Sequence, residues 1–301
     1  MAADLAPENW NAERLYQTYK PYLMAVAYRM LGSVSDAEDV VQDLFVSLQA
    51  PSAEPIRSPK AYLSKLVTNR CLNVLKSAKR KKETYLGIWL PEPLLQAEGT
   101  DPLDAVERSE TISYAFMLLL ESLTPAERAV YVLREAFDTD YRDIAEFMGK
   151  SEANCRKIYS RAKKKIEGAA AEGRGRIGFG TEERLVARFV DAFRTGAIPE
   201  LLKLLADDAV FFSDGGGVVR AAIRPIYTRP RVATMLQVLA DNKLKDAEVH
   251  EMTVNGSKGL LFVRNGIVLA TVSFDWSPDT YEIRRIYTVL NPEKLKHLRV
   301  P

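Results

Sequence analysis

The alternation of hydrophobic and polar positions divides the chain into a helical first half and a mixed second half. From Asn11 to Leu31 apolar residues return at helical spacing, at Leu15, Tyr19, Tyr22, Leu23, Val26, Ala27 and Met30, and Gly32 stops the run. A second helix is expected to begin at Ser35, with Glu38 at the capping-box position, and to carry Ala37, Val40, Val41, Leu44, Phe45 and Leu48 on its apolar face. Pro51, Pro55 and Pro59 interrupt the pattern. A third helix then runs from about Pro59 to Lys82, with Tyr62, Leu63, Leu66, Val67, Leu72 and Leu75 facing one way and basic residues another. Residues 83–104 read as a linker, because the prolines of Trp89-Leu-Pro-Glu-Pro-Leu94 and Gly99-Thr-Asp-Pro102 disfavour a helix. The linker is apolar, so it is expected to dock rather than float.

Helical texture returns from Leu103 to Gly168. Thr124-Pro-Ala-Glu127 is a strong helix start, with a cap, a proline in the first turn and a capping-box acid. A short helix is expected over Tyr141–Phe147, a turn at Gly149-Lys150, and a further helix capped by Ser151 and running through Ile166. Glycines 168, 173, 175, 178 and 180 mark a hinge. Beyond Thr181 the period changes. Helices are expected near 181–195, 198–206 and 229–241, and strands near 208–213, 246–254, 259–264, 266–275 and 280–290. Hairpin turns are expected at Asn255-Gly256 and Asn265-Gly266.

Composition narrows the class. A chain of 301 residues allows roughly two or three domains. With 47% hydrophobic and 27% charged residues it is neither a disordered chain, a collagen-like repeat nor a disulfide scaffold. The apolar run Tyr114–Leu120 is far shorter than the roughly 20 residues of a membrane span. The acidic start Met1-Ala-Ala-Asp lacks the basic and apolar parts of a signal peptide. Cys71 and Cys155 are far apart and the only histidines are His250 and His297, so no metal or cofactor is expected and a cytoplasmic location is the default.

Net charge is only +2, but it is unevenly spread. Residues 1–50 lean acidic. Residues 57–82 hold Arg57, Lys60, Lys65, Arg70, Lys76, Lys79, Arg80, Lys81 and Lys82 with no acid, and residues 150–165 hold Lys150, Arg156, Lys157, Arg161, Lys163, Lys164 and Lys165 against Glu152. Two basic segments in a near-neutral chain imply two contacts with a polyanion; the alternative is two solvated helix faces.

The stretch from Tyr141 to Ala162 has the pattern of a helix-turn-helix. Ala145 is the small residue at the helix crossing, and Gly149 suits a left-handed turn. Ala153, Cys155, Ile158 and Ala162 are expected to face inward. That leaves Ser151, Glu152, Asn154, Arg156, Lys157, Ser160, Arg161 and Lys164 toward DNA, where basic groups grip phosphate and Asn, Glu and Arg read base edges. A merely wet helical hairpin is the alternative.

With these motifs in place, residues 10–168 resemble a bacterial RNA polymerase sigma factor of the extracytoplasmic-function group. Leu123-Thr-Pro-Ala-Glu-Arg-Ala-Val-Tyr-Val-Leu-Arg-Glu with Tyr141-Arg-Asp-Ile-Ala-Glu resembles region 4, which reads the −35 element. Ser35-Asp-Ala-Glu-Asp-Val-Val-Gln-Asp-Leu-Phe resembles the part of region 2 that binds the β′ clamp. The resemblance assigns polymerase contact to Asp36, Glu38, Asp39, Gln42, Asp43 and Phe45. Ser58-Pro-Lys-Ala-Tyr-Leu-Ser-Lys-Leu-Val-Thr-Asn-Arg-Cys-Leu-Asn resembles the part that melts and reads the −10 element, which assigns DNA contact to Lys60, Tyr62, Lys65, Asn69, Arg70, Asn73, Lys76, Lys79 and Arg80. By family position Asn69 falls where an asparagine receives a flipped base. Tyr62 as a core residue and Asn69 as a local cap are the alternatives.

Residues 181–301 resemble the SnoaL-like family, some of whose members are isomerases, cyclases or hydrolases. A catalytic role would rest on Asp214, His250, Asp275 or Tyr227, which are scattered along the sequence. Trp89-Leu-Pro-Glu-Pro-Leu94, Asp214-Gly-Gly-Gly217 and Asn291-Pro-Glu-Lys-Leu295 resemble the signatures of the sigma subgroup with a fused SnoaL-like extension, understood to modulate the sigma factor in cis. Val218 and Glu293 stand where that subgroup usually has lysine and aspartate, and Arg220 is nearby.

The expected fold is thus multidomain. An all-α region 2 bundle (10–82), a linker (83–104) and an all-α region 4 helix-turn-helix (105–168) precede a glycine hinge (169–180) and an α+β SnoaL-like cone with a curved, mostly antiparallel sheet (181–301). The expected partners are core RNA polymerase, through the β′ clamp and β flap, and promoter DNA. A small-molecule ligand in the cone is an open option, and a separate anti-sigma protein or a membrane is not expected. A regulatory contact is expected among Trp89, Leu90, Pro91 and Leu94 of the linker, Asp214, Gly215, Gly216 and Gly217, and Asn291, Pro292, Lys294 and Leu295 of the tail. The rivals are a SnoaL-like enzyme tethered to DNA and a DNA-binding repressor that recruits no polymerase.

Overall fold

The structure, a computed structural model, describes residues 11–48, 58–83, 85–96, 114–170 and 177–299. It forms two compact units.

The first unit, within residues 1–81 and 119–169, is helical. Helix α1 (Ala12–Leu31) begins where Asn11 Oδ1 accepts the Arg14 N–H at 2.9 Å and ends at Gly32, whose φ is +68°. Helix α2 (Val34–Val46) follows at once. Its cap is Ser33, which accepts the Asp36 N–H at 3.0 Å, and not Ser35. The cap sits two residues early because Val34, the first helical residue, is buried with Ala37, Val40, Val41 and Leu44. Helix α3 (Pro59–Glu83) buries Leu63, Val67, Cys71 and Leu75 at four-residue spacing, while Tyr62, Leu66 and Leu72 are only half-buried. Each fully buried side chain of this size contributes about 1.5–3 kcal/mol. Ser64 Oγ lies 3.2 Å from Tyr22 Oη, which joins α3 to α1, and Arg70 donates to Ser47 Oγ just past α2.

Helix α4 (Tyr114–Glu121) leads to α5 (Pro125–Tyr131), which continues as a π-helical turn over Val132–Ala136. The capping box is complete: Glu127 accepts from the Thr124 N–H at 3.0 Å, and Thr124 Oγ1 accepts from the Glu127 N–H at 3.3 Å. Arg128 donates to Glu121 at 2.7 Å and to the Met30 carbonyl at 2.8 Å. Helix α6 (Tyr141–Met148) closes on Gly149, φ +60°, and α7 (Glu152–Ala170) starts three residues beyond. Cys155, Ile158, Ala162 and Ile166 form the buried stripe of α7. Ala153 is exposed, against expectation, because it lies on the opposite side of the helix from Cys155. Gly168 is helical rather than part of a hinge. The expected elements at 97–113 and 171–176 lie outside the described residues.

The second unit, within residues 82–100, 111–118 and 170–301, packs helices on a sheet. Its helices are α8 (Phe179–Thr195), α9 (Ile198–Leu204) and α10 (Arg229–Val238), the last extended by a π turn over Leu239–Lys243. Its strands are β1 (Leu95–Gln96), β2 (Leu205–Asp214), β3 (Ile226–Tyr227), β4 (Glu248–Val254), β5 (Ser257–Arg264), β6 (Ile267–Trp276) and β7 (Ile283–Val289), and a short helix α11 (Pro292–Leu295) follows. They form one open sheet in the order β1-β4-β5-β6-β7-β2-β3, with β2 and β7 parallel and every other pair antiparallel. Asn255-Gly256 and Asn265-Gly266 turn the hairpins with positive φ at both residues, as primed turns require. β1, formed by the linker, and β3 are strands that local pattern did not reveal.

Alternate residues of the sheet serve two cores. Phe211, Leu260, Phe262, Phe274, Trp276 and Ile286 pack with Phe189, Phe193, Leu201 and Leu236 of the helices. Phe212, Tyr287 and Val289 point the other way, where Leu90 of the linker, Tyr114 of α4 and Leu295 of α11 cover them. The face of the sheet opposite α8, α9 and α10 is thus closed by the linker, the start of α4 and α11.

Candidate functional site

In the first unit, burial of one stripe of α2 leaves Asp36, Glu38, Asp39, Gln42 and Asp43 exposed. Phe45 is half-buried at the edge of this acidic face, edge-on to Tyr16 with ring centroids 5.1 Å apart. On α3, Tyr62, Lys65, Asn69, Asn73 and Lys76 follow three- and four-residue steps along one side, and Asn69, Asn73 and Lys76 are exposed. Lys60 Nζ lies 4.4 Å from the Tyr22 ring centroid, and Lys65 pairs with Glu146 of α6 at 2.9 Å. The side chains of Lys79 and Arg80 lie outside the described residues.

On α7, Ser151 Oγ accepts the Asn154 N–H at 3.3 Å. Glu152, Asn154, Arg156, Lys157, Ser160, Arg161 and Lys164 are all exposed. Arg156 lies 4.4 Å over the ring of Tyr141 and 3.6 Å from Glu152, which orients its guanidinium along the outer face. Tyr141 is in turn set edge-on to Tyr159, whose hydroxyl donates to Glu135. Burial, then Glu135, push the Tyr159 phenol above its ordinary pKa. Lys165 Nζ bridges both oxygens of Glu127 at 2.9 and 2.8 Å and ties α7 to the start of α5. Burial alone would raise the Glu127 carboxyl. Lys165, with the N–H and hydroxyl of Thr124, outweighs it and holds the carboxyl below its usual range.

The second unit holds a buried polar cluster built from all three linker, loop and tail motifs. Asp214, at the end of β2, is fully buried. Its Oδ1 accepts from Tyr85 Oη at 2.5 Å and the Gly216 N–H at 2.9 Å, and its Oδ2 from the Leu90 N–H at 2.8 Å and Lys294 Nζ at 2.7 Å. Lys294 also donates to the Leu90 carbonyl and lies 4.1 Å from the Trp89 ring centroid and 5.1 Å from that of Tyr85. Burial, followed by the Asp214 carboxylate, pushes the Tyr85 phenol well above its ordinary range. Asn291 caps α11 and donates to Tyr85 Oη at 3.1 Å. Two glycines are required sterically. A Cβ on Gly215 would sit 2.0 Å from the Val219 carbonyl oxygen, and one on Gly216 would sit 2.2 Å from Asn291 Nδ2. Gly217 is exposed beyond them, and Pro292 is an exposed first-turn proline of α11. Further along the linker, Tyr114 Oη donates to the Pro91 carbonyl at 2.5 Å, and His297 Nε2 lies 2.8 Å from the Pro93 carbonyl. The Leu94 N–H reaches Asn255 Oδ1 at 3.0 Å.

The motifs named from sequence therefore meet. The cation on Asp214 is Lys294 and not a residue just after the glycines: Val218 is exposed there, and Arg220 lies elsewhere on the loop. Tyr85, Tyr114, Asn255 and His297 are participants that sequence reasoning missed; each is a single residue whose partner lies 23 to 206 residues away. The four candidate catalytic residues do not converge. Asp214 is committed to Lys294, Asp275 lies 3.4 Å from Arg285, His250 lies on β4 beside Glu248, and Tyr227 is exposed on the edge strand β3. Among the described residues no group of three metal-ligating side chains gathers, and no helix is long and apolar enough to cross a membrane.

A three-helix module with an acidic and a basic side, followed by a helix-turn-helix, is the arrangement expected of a factor that brings RNA polymerase to promoters. Family models agree: Sigma-70 region 2 matches residues 15–81 and Sigma-70 region 4 matches residues 113–166. The chain is 35% identical to the ECF RNA polymerase sigma factor SigJ of Mycobacterium tuberculosis over 73% of this chain and 70% of that one. It is 31% identical to the probable ECF sigma factor SigI of the same species over 63% of this chain and 65% of that one. The crystal structure of M. tuberculosis SigJ superposes with a TM-score of 0.74 at 28% identity, covering 93% of this chain and 97% of that one, so the likeness runs through the C-terminal domain. The chain belongs to the ECF RNA polymerase sigma factor family. It is a promoter-specific sigma factor, a family that is not enzymatic, which removes the polymerase-independent repressor as a reading.

Proposed function

We propose that this sigma factor engages core RNA polymerase through the exposed face of α2, opens the −10 element along α3, and grips the −35 element with the outer face of α7. Asp36, Glu38, Asp39, Gln42 and Asp43 supply a polar face with Phe45 as its apolar anchor, suited to a partner helix. Asn69, Asn73 and Lys76 supply amides and charge for an unstacked strand. Arg156, Lys157, Arg161 and Lys164 supply phosphate contacts, with Asn154 and Glu152 placed at the start of the helix for base edges. The factor acts where core polymerase is, in the cytoplasm.

We further propose that the C-terminal domain modulates this activity in cis by clasping the linker, in the role that a separate anti-sigma protein would otherwise fill. The observation that carries this reading is the Leu90 peptide, whose N–H is held by Asp214 and whose carbonyl is held by Lys294. The chain between the two sigma modules is thereby part of the C-terminal core, and releasing it exchanges a set of buried polar contacts for water. The experiment is transcription from a region-specific promoter by the full chain and by Lys294→Met. The reading requires that the variant bind core polymerase as before while its initiation rate changes.

A further inference from the structure

A groove of about 320 Å³ opens beside the clasp. Its walls are Leu86 and Gly87 of the linker and Ser213, Gly215, Gly217 and Val219 to Ile223 of the loop after β2. Three features give it a chemical character. Large apolar side chains on it and at its edge stay in water, with Leu86 61%, Val218 70% and Ile223 61% exposed. The lining holds one charged residue, Arg220, and no acid. Arg220 has no ion-pair partner among the described residues, and a second cation, Lys243, donates to its main-chain carbonyl at 2.7 Å. Burial, and behind it the Arg220 charge, hold the Lys243 ammonium below its ordinary pKa. The main-chain N–H groups of Gly217 and Ala221 make no hydrogen bond to a described residue.

From this we infer that the groove is a binding site for a compact organic anion, an apolar body carrying a carboxylate or sulfonate, with the body against Leu86, Val219 and Ile223 and the acid group on Arg220. The volume is at the small end of ligand pockets, about 300–1,000 Å³. An apolar cleft with one guanidinium does not suit a nucleic-acid strand, which needs a track of cations. The site differs from the core between helices and sheet, where Phe189, Phe193, Phe262 and Phe274 pack ring against ring. An occupant would touch both Leu86, next to Tyr85, and the loop that begins at Asp214. It would bias the clasp in proportion to its unequal affinity for the closed and open states. That consequence rests on the modulatory reading, whereas binding does not.

The test is fluorescence titration of the full chain with anilinonaphthalene sulfonate, without DNA or polymerase. Binding is expected to saturate at one probe per chain and to be displaced by octanoate but not by octanol. Arg220→Glu, at an exposed position, should weaken it at least about tenfold, the scale of a lost charge-assisted bond. Ala222→Phe, which fills the groove without touching charge, should abolish it. Failure to saturate, displacement by octanol as readily as by octanoate, or unchanged affinity in both variants would overturn the assignment. Because no transcription is read, this outcome is separable from failure of the cis-modulation proposal.

Discussion

Asp214→Ala probes the clasp most sharply. The carboxylate receives four donors, from Tyr85, Leu90, Gly216 and Lys294, in a site closed to water. Removing it leaves the Lys294 ammonium, 7% exposed, with the Leu90 carbonyl and two ring faces, and it strips an acceptor from three other groups. Stranding one member of a buried pair costs about 3–5 kcal/mol, even where the intact pair itself adds little net stability. Lys294→Met should cost less, about 1–3 kcal/mol, because Tyr85 and two main-chain N–H groups still satisfy Asp214. The double variant should be less destabilised than the sum of the singles, by a coupling of roughly 2 kcal/mol. The assay is urea unfolding followed by tryptophan fluorescence in a Trp10→Phe background, which leaves Trp89 and Trp276, both in the C-terminal unit. Stability change is read from the midpoint at constant slope. A loss of less than about 1 kcal/mol for Asp214→Ala, or strict additivity in the double variant, would refute the idea that this carboxylate organises the linker.

Other expectations follow from the same geometry. Arg156→Ala should weaken −35 duplex binding and lower the magnitude of its salt slope by about one unit, measured by anisotropy over a salt series; an unchanged slope would remove Arg156 from the phosphate contacts. Asp39→Arg should reduce affinity for core polymerase while circular dichroism stays unchanged, since Asp39 is exposed on α2. Glu127 is held below its ordinary pKa in the fold, so its contribution is present above the unfolded carboxylate value and is lost as pH falls through the folded one. Glu127→Gln should accordingly lower the stability of the first unit at neutral pH and flatten its acid decline below about pH 4. An acid limb identical to that of the parent chain would contradict the Lys165–Glu127 tie.

Much of the fold is legible where local chemistry decides it. Asn11, Gly32, Thr124 and Gly149 mark helix ends because caps need particular side chains or positive φ. Ser33 and Ser35 both stand three residues before an acid, at Asp36 and Glu38, and local pattern favours neither; the buried Val34 decides for Ser33. The two-residue strands β1 and β3 have no periodicity to read and exist through their partners. The candidate contact faces on α2 and α7 were legible as the polar complements of buried stripes. The clasp was legible only as motifs. That Lys294 supplies its cation depends on the chain returning 80 residues later, and nothing near Asp214 in sequence signals it.

The most direct measurement is in vitro initiation by core polymerase on a promoter library, comparing the full chain with Lys294→Met and with a chain ending at Leu290, which lacks Asn291 and α11. Promoter-specific initiation by the full chain is expected, with the same promoter preference in both altered chains and rates that differ from the parent. Absence of initiation from every form would contradict the sigma activity. Equal rates in all three would contradict modulation by the clasp.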